Sequence, residues 1–430
     1  MKLILVELNE INFDVINKYI ARGESLKSFK KIIDSNLQTT QAEDAYRNLE
    51  PWIQWPSVHT GLAYKDHNVF RLGDIVKCEA EQIFEKVEKA GYRVGSISAM
   101  NASNKLQNPS YFIPDPWTST DPDQSYLSKA LTDAISQAVN DNSESKISLK
   151  SIISLLIATF SLVKITKLPK LAKYALSSIS KPWRKAIFLD MLLHEIHKTL
   201  IKRKKPNFST IFFNAGAHIQ HHYFHNSSVS NTYNLNNPDW YIAKNNDPLL
   251  EMLMVYDQIL SDYIGAEGFE LIVATGLSQK PFEELKFYYR LRDHKSFLNE
   301  LGIPNFKVQP RMTRDFLISF ESIEDALKSE KMLKDILVDK SKPLFGEVDN
   351  RGKDIFVVLT YPNEINEDTF FYFNNIKYHL KDFVTFVAIK NGEHQSKGFA
   401  HYSRNLHSYL PENNSHVSNI HNVIVDYFKI

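Results

Sequence analysis

The sequence predicts an α/β fold of three layers, with helices on both faces of a mainly parallel central sheet and a basic helical insertion. Two observations predict it. Short apolar runs recur along the chain, each bounded by polar residues, as strands buried on both faces of a parallel sheet require. Stretches with apolar residues at helical spacing stand between them, and strands alternating with helices specify a covered parallel sheet. The composition agrees: 43% hydrophobic and 23% charged over 430 residues is globular, which excludes disordered, collagen-like and coiled-coil chains. The chain is read as a single domain over residues 1–430, with residues 140–206 as the insertion.

The elements follow in order. Leu3 to Leu8 is the first buried strand, and Phe13 to Ile33 is read as a helix from Phe13, Ile16 and Ile20. Arg93–Ser98, Thr210–Phe213, Leu271–Ala274, Ile355–Leu359 and Val384–Ile389 are further strands, with helices over Glu81–Lys89 and Pro248–Tyr263. Gly91 after Ala90 is a left-handed helix stop. The polar stretches Asn140–Ser145 and His225–Asp239 are surface loops.

Charge excludes some functions. A net charge of +1 argues against nucleic acid as the partner. The single cysteine, Cys78, excludes disulfides and multi-cysteine metal centres. The opening Met1-Lys2-Leu3-Ile4-Leu5-Val6-Glu7 has no secretory apolar core, so a cytoplasmic location is expected. The average conceals an asymmetry. Lys146 to Lys205 holds fourteen Lys and Arg against Asp190 and Glu195, a net +12 that leaves −11 elsewhere. Ser151–Val163 within it is apolar but too short to span a bilayer. Such a segment packs its apolar face on the main domain with its lysines in solvent, or lies on the anionic inner face of a membrane; both readings stay open.

Four segments carry candidate chemistry, since ligands of open parallel sheets sit beyond the carboxyl ends of the strands. Glu7, Asn9 and Glu10 end the first strand. Glu50-Pro51-Trp52-Ile53-Gln54-Trp55-Pro56-Ser57-Val58-His59-Thr60-Gly61 combines flat aromatic rings with polar groups. Asn214-Ala215-Gly216-Ala217-His218-Ile219-Gln220-His221-His222 follows a strand, and imidazole is a common metal ligand. Gly392-Glu393-His394-Gln395-Ser396-Lys397-Gly398 follows another. Glu7, Glu10, Glu50, His221 and His394 are the acid–base candidates. Asn9, Trp52, Gln54, Trp55, His59, Asn214 and His218 are the substrate-contact candidates. His194-Glu195-Ile196-His197 lacks the zinc-protease spacing and is a helix face.

These segments, in this order over residues 1 to about 400, resemble the alkaline phosphatase superfamily, above all its phosphodiesterase/nucleotide pyrophosphatase and sulfatase-like branches. The matching stretches are Val6-Glu7-Leu8-Asn9-Glu10-Ile11, Thr60-Gly61, Asp66-His67-Asn68-Val69-Phe70, Ala217-His218-Ile219-Gln220-His221, Tyr256-Asp257, Leu271 to Gly276, and Gly392, His394 and Gly398. The family's metal-binding acids fall on Asn9, Ala217 and Thr275, a late metal histidine falls on Gly276, and its nucleophile falls on Gln54 or near Glu50 and Pro51. Of the usual ligands only His221 and His394 match, so the resemblance implies at most one divalent ion, with Glu7 or Glu10 as its oxygen ligand, and no tightly held zinc pair. Two functions follow. One is a hydrolase or transferase acting on a phosphorylated or lipid-linked carbohydrate-type substrate, as in polysaccharide biosynthesis. The other is an inactive protein on the same fold that binds an anionic or carbohydrate ligand.

Overall fold

The computed structural model describes residues 1–140, 157, 159–230, 234–311 and 314–430. All of Asn140–Ser145 but its first residue, and most of Ser151–Val163, therefore lie outside the described residues, as does part of His225–Asp239.

The chain divides into two compact units where one domain was expected. One holds Met1–Asn231, Asn245–Pro281 and Gly392–Ile430; the other holds Thr232–Lys244 and Phe282–Asn391. The first unit is built on an eight-stranded sheet. Its strands include β1 (Leu3–Leu8), β2 (Leu37–Gln41), β3 (Val94–Ile97), β4 (Tyr111–Ile113), β5 (Phe208–Phe213) and β6 (Glu270–Ala274). The order is Ser415–His416, β2, Lys397–Tyr402, β6, β1, β5, β3, β4. β1 pairs in parallel with β5 and β6, β5 with β3, and β3 with β4. Among the described residues, only Lys397–Tyr402 runs against its neighbours in this sheet, β2 and β6.

β1 is buried along its whole length. Alternate side chains of a strand face opposite sides of the sheet. Leu3 and Leu5 join Trp55, Val58, Phe84, Phe208, Phe212 and Ile424 in one core, beneath the mutually packed helices Pro51–Thr60, Ile83–Lys89 and Asn419–Phe428. A second helical group, Lys27–Asn36, Arg184–Lys204, Ala215–Tyr223 and Pro248–Ile264, packs together separately. The three-layer, mainly parallel reading is thus what the first unit shows.

Four expectations are corrected. Phe13 to Ile33 is two helices, Phe13–Ala21 and Lys27–Asn36, broken at Gly23 with φ +94°. Ile355–Leu359 belongs to Asp354–Leu359, which pairs antiparallel with Phe345–Asn350 and Asp315–Phe320 around the second unit's own core. Val384–Ile389 is the start of Val384–Gln395, which belongs to a two-stranded sheet with Ser278–Leu291. Finally, Arg184–Lys204, expected as part of an insertion, is integral to the first unit: it buries Ile187, Met191, Leu193, Ile196 and Leu200 and packs on β3 and β5. Among the described residues no helix is long and apolar enough to cross a membrane.

Candidate active site

The carboxyl ends of β5, β1 and β6 lie side by side, and the chain leaves each with a polar residue. Beyond β1, Asn9 N donates to Phe213 O (3.0 Å) and Glu10 N to Thr275 O (3.1 Å). Glu10 adopts φ 61°, a left-handed conformation unfavourable to a side chain of this size. Its carbonyl is held there by Gln220 Nε2 (2.8 Å) and Gln279 N (3.2 Å). The turn breaks the alternation of β1 and sends the Glu10 carboxylate toward two histidines.

His221 comes from the helix Ala215–Tyr223, which starts directly after β5. Asp190 fixes that start by accepting from Asn214 N (3.3 Å) and Ala215 N (2.8 Å), and Tyr256 donates its hydroxyl to the same carboxyl (2.6 Å). Burial pushes the Asp190 carboxyl up to about 6 against the lowering effect of these bonds. His394 comes from the end of Val384–Gln395. Gly392 lets that strand approach: a Cβ there would stand 2.2 Å from Gln279 Oε1 and 2.8 Å from Gln220 O.

Three ligand atoms meet. Glu10 Oε2 lies 2.9 Å from His394 Nε2 and 3.2 Å from His221 Nε2, and the two nitrogens are 3.2 Å apart. Glu50, at the start of the helix Pro51–Thr60, brings Oε2 to 3.6 Å from His394 Nδ1. Burial pushes the Glu10 carboxyl up, but the charges and hydrogen bonds of His394 and His221 outweigh it and hold it well below the usual carboxylate range. Burial opposes the charging of His394, yet Glu10, with help from Glu50, raises its imidazole to about 9. Glu50 is pushed up to about 7 by burial, partly offset by His394. Solvent reaches the group: the side chains of His221 and Glu50 are about one-third exposed, while Glu10 is buried. A second layer orients Glu10. Gln279 Nε2 donates to Oε2 (2.5 Å), Asn9 Nδ2 donates to Oε1 (3.1 Å), and Trp55 Nε1 donates to Asn9 Oδ1 (2.9 Å).

The donor set fits one cation. Ligand atoms at right angles around an ion bound at about 2.1 Å stand about 3 Å apart, and two imidazoles with a carboxylate are ordinary ligands for divalent metals. The side lengths of the Glu10–His221–His394 triangle match that spacing. A second group, His194, Glu195 and Asp262, already holds an ammonium: Lys198 Nζ is 2.6 Å from Asp262 Oδ2.

Of the sequence-predicted residues, Glu10, Glu50, His221 and His394 come together, with Asn9 and Asn214 joined behind them (Asn9 Nδ2 to Asn214 Oδ1, 2.9 Å). The others do not join. Glu7 faces the core inside β1 and pairs with His59 at 3.0 Å, both fully buried. Gln54 is sealed between Asn48 O and Glu43 N. Trp55 is fully buried and offers no stacking face; Trp52 packs on the same core and donates to Phe70 O. His218 is exposed on the helix Ala215–Tyr223 against the His222 ring, 4.6 Å between centroids. Gln220, Gln279 and Asp190 were missed. Gln279 lies past the expected strand Leu271–Ala274, at the start of the next strand, Ser278–Leu291, which the sequence reading did not include, and Asp190 was counted only as an acid in a basic segment.

No protein-family model and no curated protein matches the sequence. Solved structures do. Phosphonoacetate hydrolase from Sinorhizobium meliloti, in complex with phosphonoformate, is 13% identical with a TM-score of 0.48, covering 100% of this chain and 96% of that one. The alkaline phosphatase PafA is 10% identical with a TM-score of 0.47, covering 100% and 95%. Murine ectonucleotide pyrophosphatase/phosphodiesterase 5 is 12% identical with a TM-score of 0.42, covering 100% and 95%.

Proposed function

We propose that this protein is a hydrolase or transferase acting on a phosphoryl group, with Glu10, His221, His394 and Glu50 as its working residues. The observation that carries the reading is the meeting of Glu10 Oε2 with two imidazole nitrogens at 2.9 and 3.2 Å, one-third open to solvent beside a second carboxyl. The buried carboxylate fixes the imidazoles, whose ring nitrogens face the opening where anionic phosphoryl oxygens would sit. One divalent ion held by Glu10, His221 and His394 would supply Lewis-acid polarisation of such an oxygen. Glu50 is placed to take the proton of the attacking water or acceptor hydroxyl as its oxygen bonds to phosphorus. The bond to the leaving oxygen breaks in the same displacement, and a proton from solvent neutralises that oxygen. The finer reading, a lipid-linked carbohydrate phosphate, is supported only by the basic segment at residues 146–205.

The test has two readouts. Zinc or manganese titrated by calorimetry is expected to bind once per chain, and not at all in Glu10→Gln. Phosphate mono- and diesters of nitrophenol, supplied with the same metals, are expected to be hydrolysed, with kcat lowered at least about 100-fold in Glu50→Gln, the usual range for a lost acid–base group. Ligand binding without turnover under every metal would replace this reading by the inactive binding protein.

A further inference from the structure

We propose that residues 159–185 form a membrane-contact surface that docks the protein on anionic lipid. Leu168–Ser177 is a helix held to the rest of the unit by Leu171, its one buried side chain, and it packs along Arg184–Lys204. Its other face is apolar and open. Ala172 and Leu176 lie four residues apart on one side of the helix, both exposed. Ile165 before the helix and Ile179 after it extend the surface. Leu176 is 71% exposed, Ile165 80% and Ile179 87%. A contiguous run of large aliphatic side chains so fully exposed is uncommon on a monomer's surface and marks a contact site.

Charge selects the occupant. Residues 159–185 carry Lys164, Lys167, Lys170, Lys173, Lys181, Arg184 and Lys185 and not one acid. Some of this charge is neutralised toward the protein, as with Arg184, 2.7 Å from Glu251. Lys164 and Lys173 are exposed beside the apolar face. Aliphatic side chains flanked by lysines, on a helix too short and too polar to span a bilayer, suit the interface of an anionic membrane, where the apolar face enters the headgroup layer and the ammonium groups meet lipid phosphates. A second copy of this chain would bring like charge against like.

The test is cosedimentation of the full-length protein with vesicles of phosphatidylcholine alone and of phosphatidylcholine carrying phosphatidylglycerol. Binding is expected only to the second, falling as salt approaches physiological strength, where the screening length is about 8 Å. The pair Lys164→Gln and Lys173→Gln is expected to weaken it at least about tenfold, given roughly fivefold per lysine near such a surface. The pair Leu176→Ser and Ile179→Ser is expected to weaken it comparably with the melting transition unchanged; Ile179→Ser alone serves if the pair unfolds. Absence of binding to the anionic vesicles at low salt overturns the proposal, as does binding indifferent to both pairs. A dimer that the serine pair dissolves, with no vesicle binding, would assign the surface to a second copy instead.

Discussion

Two carboxylate–imidazole assemblies grow from the same strand three residues apart, and they have opposite characters. Glu7 lies within β1, on the face that Leu3 and Leu5 share, and meets His59 at 3.0 Å in a core lined by Trp55 and Phe84. Glu10 lies past the end of the strand, turned by its positive φ, and meets His221 and His394 where solvent reaches them. The residue types are the same. What separates them is position along the strand: inside a parallel sheet a polar side chain is sealed between layers, and beyond its carboxyl end it joins the groups leaving neighbouring strands. A buried carboxyl–imidazole pair in a core gives little net stability over apolar packing, but removing one partner leaves the other buried and unsatisfied, which is costly. An open cluster gives up little stability when altered and loses its chemistry.

Parallel substitutions sharpen that contrast. His59→Ala leaves the Glu7 carboxyl buried without its partner, and unfolding in urea is expected to show a loss of about 3–5 kcal/mol. The fraction that remains folded is expected to keep its activity and metal binding. Glu10→Gln is expected to do the reverse: turnover falls at least about 100-fold, near 3 kcal/mol in the barrier, while stability falls by much less than in His59→Ala because water solvates His221 and His394. A Glu10→Gln protein that unfolds, or a His59→Ala protein that is stable but inactive, would break the distinction.

Much of this was legible in the sequence. Apolar runs marked β1, β3, β5 and β6, and the rule that sites lie past strand ends pointed to Glu10 and His221; Glu50 and His394, also candidates from the sequence, meet them from a helix start and from within the strand Val384–Gln395. The failures have physical causes. Glu7 and Glu10 are both polar residues near the end of one apolar run, and only the left-handed turn at Glu10 separates sealed from open. Trp52 and Trp55 looked like a binding face because two indoles in six residues are costly, but a core wall uses them as readily. The second unit went unseen because Ile355–Leu359 and Val384–Ile389 are apolar runs like those of the parallel sheet, while strands such as Phe345–Asn350 and Ile376–His379 are too polar to register as buried runs.

A third buried carboxyl extends the comparison to one without any imidazole. Asp190 accepts two backbone N–H bonds and one hydroxyl, and burial still raises it to about 6. The unfolded value is about 3.9, so the folded state binds the proton more tightly. Its contribution to stability is therefore fully present below the unfolded value and lost as pH rises through about 6. Wild type is expected to lose about 1 kcal/mol relative to Asp190→Asn between pH 5 and pH 7.5, read as the difference between their urea midpoints at each pH. A constant difference, or one of opposite sign, would mean that the hydrogen bonds at the start of the His221 helix outweigh burial.

The smallest effect tests whether the sealed core and the open site are coupled at all. Trp55 packs in the core against the Phe212 ring, centroids 5.8 Å apart, yet its indole N–H reaches Asn9 Oδ1 at 2.9 Å. An indole nitrogen only donates, so Asn9 must turn its oxygen toward Trp55. Its amide NH₂ is thereby left for Glu10 Oε1 and Asn214 Oδ1, at 3.1 and 2.9 Å. Trp55→Phe keeps the aromatic packing but removes the donor. The unpaired Asn9 oxygen is expected to cost about 1 kcal/mol. More telling is the freed amide: once flipped, it would set oxygen against the Glu10 carboxylate, and the imidazoles would lose the fixed orientation of their anchor. Turnover is therefore expected to fall several-fold in kcat with KM little changed, and Asn9→Asp, which places charge against charge, to fall further. If Trp55→Phe lowers stability and leaves kcat untouched, the indole belongs to the core alone, and Gln279 suffices to hold Glu10 in place.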